Sequence, residues 1–393
     1  MRVLMAGMDW YPNEPGGLNR YVYGVAQALA AAGVTGAALV SYLLPGQAGP
    51  LPLRAMAEKG APFSERMRGA RRQAREALRA GVDLANPHFA PYAYPWLRDL
   101  PRNVPLVAHF HGPWAGEMAV EQRGLRGRAR VLLARRIERA VYRRAARVIT
   151  LSRAFAQIAC QDYGVPQERL CVIPGGVDLS LYQAAPDRRE ARARLGWPQE
   201  APILLSVRRL WRRMGLESLI DAMLSVRCAH PQARLLIGGT GPISAELEAR
   251  IQKQDLAANV QMLGFIPDAD LPLAYAAADL SLVPTLALEG FGLITVESLA
   301  AGTPVLGTPI GGTPEILAGL SPDLIFASAT PADMAERIDA VLAGRIALPD
   351  AAQCRAYSAR YGWPEVLPRL MAAFHEALPS TGRPAAPPSG ATP

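Results

Sequence analysis

Short apolar runs set between longer stretches of helical period constrain the fold of this chain more than any other feature. Residues 3–7, 104–110, 148–151 and 170–173 are such runs, with helical pattern filling the gaps. A strand buried on both faces reads as a continuous apolar run, and parallel strands need crossovers of a dozen or more residues, so the pattern predicts helix-covered parallel sheet. After residue 202 the pattern starts again, at 203–207, 234–237, 260–263, 280–283 and 304–306. One doubly wound α/β unit is followed by another, and 393 residues accommodate two domains of ordinary size. Segment 174–202, rich in Pro, Gly and charge, is the linker expected between them. Ligands of such sheets bind outside the carboxyl ends of the strands, so the strand-to-helix loops and the crevice between the units should carry function.

Half of the residues are hydrophobic and 19% are charged, which is the composition of a globular chain. From Ser380 onward a mixture of Pro, Gly, Ser and Ala predicts a disordered tail. The start lacks the pattern of a signal peptide, and no run approaches the roughly 18 apolar residues of a membrane span, so a cytoplasmic protein is expected. Cys160, Cys171, Cys228 and Cys354 lack metal-ligand spacing and read as reduced. Net charge is +8, but residues 1–180 hold 24 Arg and Lys against 13 Asp and Glu. That excess gathers in two helical stretches, 66–79 and 123–147. They suit an anionic membrane face or an acidic acceptor, which allows peripheral contact with the inner face of the cytoplasmic membrane; solvated faces of an Arg-rich chain are the plain alternative. No nucleic-acid partner is expected.

Four loops carry the chemistry. Gly16 and Gly17 precede the helical stretch 18–31, where backbone can approach a ligand closely and a helix start favours phosphate; without a GxGxxG or Walker pattern this signal is weak alone. His109 and His111 alternate at the end of a predicted strand and share one face. Packing suffices for either alone, and His111, nearer the tip, is the better candidate for sugar hydroxyls or a proton. Arg208, Arg209, Arg212 and Arg213 crowd the loop after 203–207, where guanidinium groups stabilise a pyrophosphate and the charge it gains on leaving. Glu289 lies before a helix and Glu297 inside it, on the order of 12 Å apart if the span were all helical. That is too far for the paired carboxylates of a glycoside hydrolase and suits two parts of one elongated ligand. Between them Gly290 and Gly292 leave backbone N–H groups exposed at the helix start.

EGFGLITVESLAAGTPVLGT followed by GGTPEI, with GGLNRYV, HFHGPW, IPGGVD, GGTGP and LGFIP in order along the chain, resembles the family-four retaining glycosyltransferases. The resemblance implies the GT-B fold: two Rossmann-like doubly wound domains facing a central cleft. An acceptor domain would span 1–180, a donor domain 181–362, a crossover helix 363–378 and a tail 379–393. It implies a sugar moved with retention from a nucleoside-diphosphate sugar, UDP- or GDP-linked, to a hydroxyl of a glycan, lipid-linked or small-molecule acceptor. The donor is a co-substrate; no cofactor, metal or covalent nucleophile is implied. Glu289 would contact donor-sugar hydroxyls and Glu297 the ribose. Phe291, Gly292 and Leu293, with Gly290 and Gly239, would border sugar or phosphate, and Phe265 and Ile266 would flank the base. Arg209 would grip the diphosphate, His111 is the cleft histidine, and Gly16 and Gly17 lie in the loop that closes on the donor.

One departure matters. Where the family commonly carries lysine before the glycine matching Gly215, this chain has Met214, so Arg213 or Arg212 is expected to supply the second cation. A second departure sets Gly175 where the family usually has Asn. Competing readings are an epimerase or phosphorylase of the same architecture and a non-catalytic sugar-nucleotide sensor. The only lysines, Lys59 and Lys253, lie outside every cleft motif and weigh against a pyridoxal-dependent phosphorylase.

Overall fold

The computed structural model describes residues 1–121 and 124–379, so the expected tail from Ser380 and Arg123 of the second basic stretch lie outside the described residues. The first unit contains β1 (Arg2–Ala6), β2 (Thr35–Val40), β3 (Leu53–Ala55), β4 (Leu84–Pro87), β5 (Val107–Phe110), β6 (Arg147–Thr150) and β7 (Leu170–Val172). These pair in parallel as β3-β2-β1-β4 and β5-β6-β7, and a parallel bridge between Ala85 and Leu106 joins the two sets. The second contains β8 (Ile203–Val207), β9 (Arg234–Gly238), β10 (Val260–Gly264), β11 (Leu280–Val283) and β12 (Val305–Gly307), in the order β10-β9-β8-β11-β12 and again parallel. Both sheets grow outward from a central first strand, the doubly wound arrangement that opens a crevice where the strand order reverses.

The apolar runs located nine strands and missed three. β4 reads LANP, and Asn and Pro are ordinarily poor strand formers, yet all four residues are buried and pair with β1. β2 starts with Thr-Gly, and β3 is a three-residue edge. Segment 174–202 is no open linker. It holds the helices Leu179–Gln183 and Arg188–Leu195, the second capped by Asp187. Arg192 is buried and donates to the carbonyls of Ala277 and Gln199 and to Asp279, which binds this segment to the second unit.

The helix Trp363–Ala377 returns to the first unit. Trp363 lies between two glycines: a Cβ on Gly24 or on Gly176 would come within 2.7 Å of its ring. Arg369 then donates to the Val172 carbonyl at the end of β7. Apolar packing is continuous from Val25 and Ile149 through Ile173, Val177 and Tyr182 to Leu204 and Val296. Gly176→Val should therefore lower the thermal unfolding midpoint, with overpacking costing about 1–3 kcal/mol. Trp363→Leu in the same chain should recover part of the loss, and two additive losses in a double-mutant cycle would mean that this contact does not seat the helix.

Candidate functional site

The carboxyl ends of β1, β4 and β5 form one wall of the crevice. Gly16, with φ of 143°, precedes the helix Gly17–Ala31, and a Cβ on Gly17 would lie 3.8 Å from Leu293 of the opposite unit. On that helix Tyr21 sets its ring edge against those of His109 and His111, with centroids 5.7 and 5.1 Å away. His88, just beyond β4, stacks on His109 at 4.0 Å, and His111 stacks on both at 5.3 Å. Burial pushes His88 and His109 well below the ordinary imidazole value and His111 down to about 3, so all three rings are neutral. Sequence reasoning passed over His88 because β4 itself was illegible.

The opposite wall is built on the loops after β8 and β11. Glu289 Oε2 accepts from Arg208 Nη2 at 2.8 Å and from Thr285 Oγ1 at 2.9 Å. The carbonyl of Glu289 takes the Gly312 N–H at 3.0 Å, and a Cβ on Gly311, at φ 65°, would strike that carbonyl at 2.1 Å. The GGTPEI motif thus holds the EGFG loop in place. Gly290 lies against His111, where a Cβ would sit 3.1 Å from the His111 carbonyl. Gly292, at φ 89°, opens the helix Leu293–Ala301, whose start has no side-chain cap. Phe291 is buried against Tyr361, and Gly175 leaves room for Phe291 and Leu293, each of which would lie 2.8 Å from a Cβ there.

The arginine cluster separates by partner. Arg208 is buried; its Nη2 also touches Met214 Sδ at 2.8 Å, while its Nε and Nη1 have no partner. Arg209 is exposed and makes no ion pair among the described residues; crowding by protein, then the like charge of Arg213, lowers its pKa. Arg212 pairs on the surface with Glu217 and Glu246. Arg213 is buried and fully engaged, donating to the Leu288 carbonyl at 3.0 Å and across the crevice to Glu117 at 2.9 Å. Arg212 and Arg213, the expected sources of the second cation, thus have carboxylate partners of their own, and the guanidinium lying against Met214 belongs to Arg208.

Glu297 is buried and accepts from Arg20 Nη1 of the first unit at 2.6 Å. Arg20 also pairs with Asp268 and donates to the Tyr182 hydroxyl. Burial opposes its charge, but Glu297, with Tyr182 and Asp268, outweighs burial and raises its pKa. Asp268 and Asp270 form an Asp-x-Asp; the first pairs with Arg20 and the second precedes the helix Leu271–Ala277. Phe265 is exposed at the rim beside Ile266, whose side chain fills the space over Gly238. Gly239 has a structural reason to be glycine: at φ 132° its Cβ would fall 1.9 Å from the Arg208 carbonyl.

Comparison with known proteins decides the family. Residues 15–181 match the family described as Glycosyltransferase Family 4, and residues 187–360 match Glycosyl transferases group 1. The chain belongs to the family-four glycosyltransferases of the GT-B fold. It is 32% identical over 227 residues to a D-inositol 3-phosphate glycosyltransferase of Segniliparus rotundus, covering 56% of this chain and 49% of the relative. It is 36% identical over 151 residues to a GDP-mannose-dependent monoacylated alpha-(1-6)-phosphatidylinositol monomannoside mannosyltransferase of Corynebacterium glutamicum, covering 36% and 39%. The matches thus span about half or less of these curated relatives. Anabaena Alr3699/HepE, solved with UDP-glucose, aligns over 96% of this chain and all of its own, with a TM-score of 0.74 and 20% identity, a likeness of fold.

The buried titratable groups make a signed prediction. On unfolding, His88, His109 and His111 return to a pKa near 6.5, so below that pH the unfolded chain binds more protons and stability falls, by about 1.4 kcal/mol per pH unit for each ring. Glu138, buried under the start of the helix Trp114–Glu121, acts in the opposite sense: burial lifts its carboxyl to about 7, so it regains stability as pH falls. With three rings against one carboxyl, the unfolding midpoint should drop between pH 6.5 and 5. A midpoint that holds or rises would mean that a ring is charged in the native state.

Proposed function

We propose that this chain is a retaining glycosyltransferase that moves a sugar from a nucleoside-diphosphate sugar to a hydroxyl acceptor, in polysaccharide, lipid-linked glycan or glycoconjugate biosynthesis. The observation that carries the reading is the convergence of Glu289, Arg208, Arg209 and the start of the helix Leu293–Ala301 on the crevice end facing His111. The unpartnered Nε and Nη1 of Arg208, Arg209 with no ion pair among the described residues and the N–H groups at the helix start are the donors that a diphosphate requires. Glu289 would take sugar hydroxyls, and Glu297 the ribose in exchange for Arg20. Phe265 and Ile266 would flank the base.

In the reaction the bond from the anomeric carbon to the diphosphate oxygen breaks and the acceptor oxygen bonds to that carbon on the same face. The acceptor proton passes to the leaving diphosphate. Charge grows on the diphosphate as the bond breaks, so the guanidinium groups act most strongly in the transition state. No cofactor enters this scheme. UDP- and GDP-linked donors are both compatible; the Anabaena structure holds UDP-glucose, and the Corynebacterium relative is named for GDP-mannose. Thermal-shift screening of UDP-, GDP- and ADP-sugars identifies the donor, and a panel that leaves the midpoint unmoved overturns the reading.

Arg208→Ala and Arg209→Ala should each lower kcat on the order of 100-fold with a smaller change in donor KM. Arg213→Ala should instead act through Glu117 and loop 286–288, costing stability more than turnover. Steady-state kinetics with unfolding measurements checks this, and a larger turnover loss in Arg213→Ala than in Arg208→Ala would reverse the assignment.

The acceptor side supports contact with an anionic bilayer. No helix among the described residues is long and apolar enough to cross a membrane. On the helix Leu125–Arg144, however, Leu125, Leu132 and Leu133 are exposed among Arg126, Arg128, Arg130 and Arg136. Arginines near an anionic surface contribute about 1 kcal/mol each, screened over roughly 8 Å at physiological salt. Co-sedimentation should favour anionic over neutral vesicles at low salt and weaken at high salt or with Leu132→Glu/Leu133→Glu. Equal sedimentation with both vesicle types would leave these groups as solvated faces or contacts for a soluble acceptor.

A further inference from the structure

Three imidazoles share one buried amide, and that amide assigns their protons. Asn86 Nδ2 lies 2.7 Å from the Val107 carbonyl and 3.1 Å from His109 Nδ1. A carbonyl only accepts, so the amide atom facing it is nitrogen, and its two hydrogens serve Val107 and His109. Asn86 Oδ1 is then an acceptor, and His88 Nε2, 2.9 Å away, must carry a hydrogen. A neutral ring has one N–H, which leaves His88 Nδ1 bare, and the atom 3.1 Å from it, His111 Nε2, must donate. His111 Nδ1 is therefore bare, with no partner among the described residues. By the same rule His109 carries its hydrogen on Nε2, toward the Tyr21 hydroxyl at 3.3 Å.

Neutral rings are what the packing demands. His88 and His109 stack at 4.0 Å with planes 12° apart, both buried, where two charges would repel at close range.

We propose that Asn86 and His88 are positioning residues that hold His111 in the Nε2–H tautomer, so that its bare Nδ1 accepts a hydrogen bond from a hydroxyl of the donor sugar. The inference rests on the donor reading given above. It adds specificity to that reading, because a nitrogen that can only accept takes a hydroxyl and rejects a carboxylate or phosphate oxygen at the same place. It also removes His111 as a proton donor to the leaving diphosphate.

The test uses the full chain labelled with 15N-histidine, and variants His88→Gln and His88→Leu. The glutamine amide can donate to Asn86 Oδ1 and accept from His111 Nε2, whereas leucine does neither. NMR should find His111 as the Nε2–H tautomer in the wild type and in His88→Gln, and a tautomer mixture in His88→Leu. Affinity for the free nucleoside diphosphate should be the same in all three. Affinity for the matching nucleotide sugar, from the panel of UDP-, GDP- and ADP-sugars, should fall about five- to tenfold in His88→Leu and stay within about twofold in His88→Gln. If His88→Leu fails to fold, the wild-type tautomer and the His88→Gln affinities decide. His111 carrying its hydrogen on Nδ1 overturns the relay whatever binds, as does an unchanged sugar-dependent affinity in folded His88→Leu. A wild-type Nε2–H tautomer with no nucleotide sugar bound would instead overturn the donor reading and the role of His111 in it, while the relay itself stands.

Discussion

A guanidinium taken out of water costs several kcal/mol unless an opposite charge meets it, and the crevice of this protein is built around that constraint. Arg20 meets Glu297, Arg208 meets Glu289 and Arg213 meets Glu117. The first and third pairs run from one unit to the other. Glu315 adds a further tie, its carboxylate accepting from the backbone N–H groups of Arg153 and Ala154 at the start of the helix Arg153–Tyr163. Of these ties between the units, Arg20–Glu297 involves a group that the proposed donor would address. A nucleotide sugar entering here exchanges partners with existing pairs, so its net binding is the difference between two well-formed sets of contacts.

Close backbone approach is the second organising feature, and it explains why glycines crowd these loops. Gly311 and Gly312 carry the Glu289 loop, Gly290 seats it against His111, and Gly239 lets the end of β9 meet the backbone of Arg208. A side chain at Gly290 would push one wall from the other, and one at Gly239, Gly311 or Gly312 would part contacts within the second unit. The Glu289 loop of one unit and the histidine stack of the other are consequently within direct contact.

The first unit bears its charge differently from the second. Its basic helices place arginines and exposed leucines on the outer surface, away from the paired charges of the crevice. Glu138 is the exception, a buried carboxylate that receives the N–H groups of Trp114 and Ala115 and the Tyr163 hydroxyl, and so sets the helix from which Glu117 reaches Arg213.

Hydrophobic pattern alone determined that two doubly wound parallel units follow one another, because a strand buried on both faces leaves a continuous apolar run. Loops with charge or glycine beside such runs marked the neighbourhoods of His111, Arg209, Glu289, Gly292 and Glu297. Partner choice was not legible. Which of four neighbouring arginines meets Glu289, that Arg20 occupies Glu297, and that Arg213 belongs to Glu117 are settled between residues 81 to 277 positions apart. No local period encodes such pairings. β4, and with it Asn86 and His88, was hidden for a related reason: LANP has poor local propensity, and only burial between β1 and β5 makes it a strand. Local sequence determined where strands end and what chemistry waits there; tertiary structure decided which charges neutralise one another and which donors remain free, because desolvation acts on the assembled crevice and not on the chain.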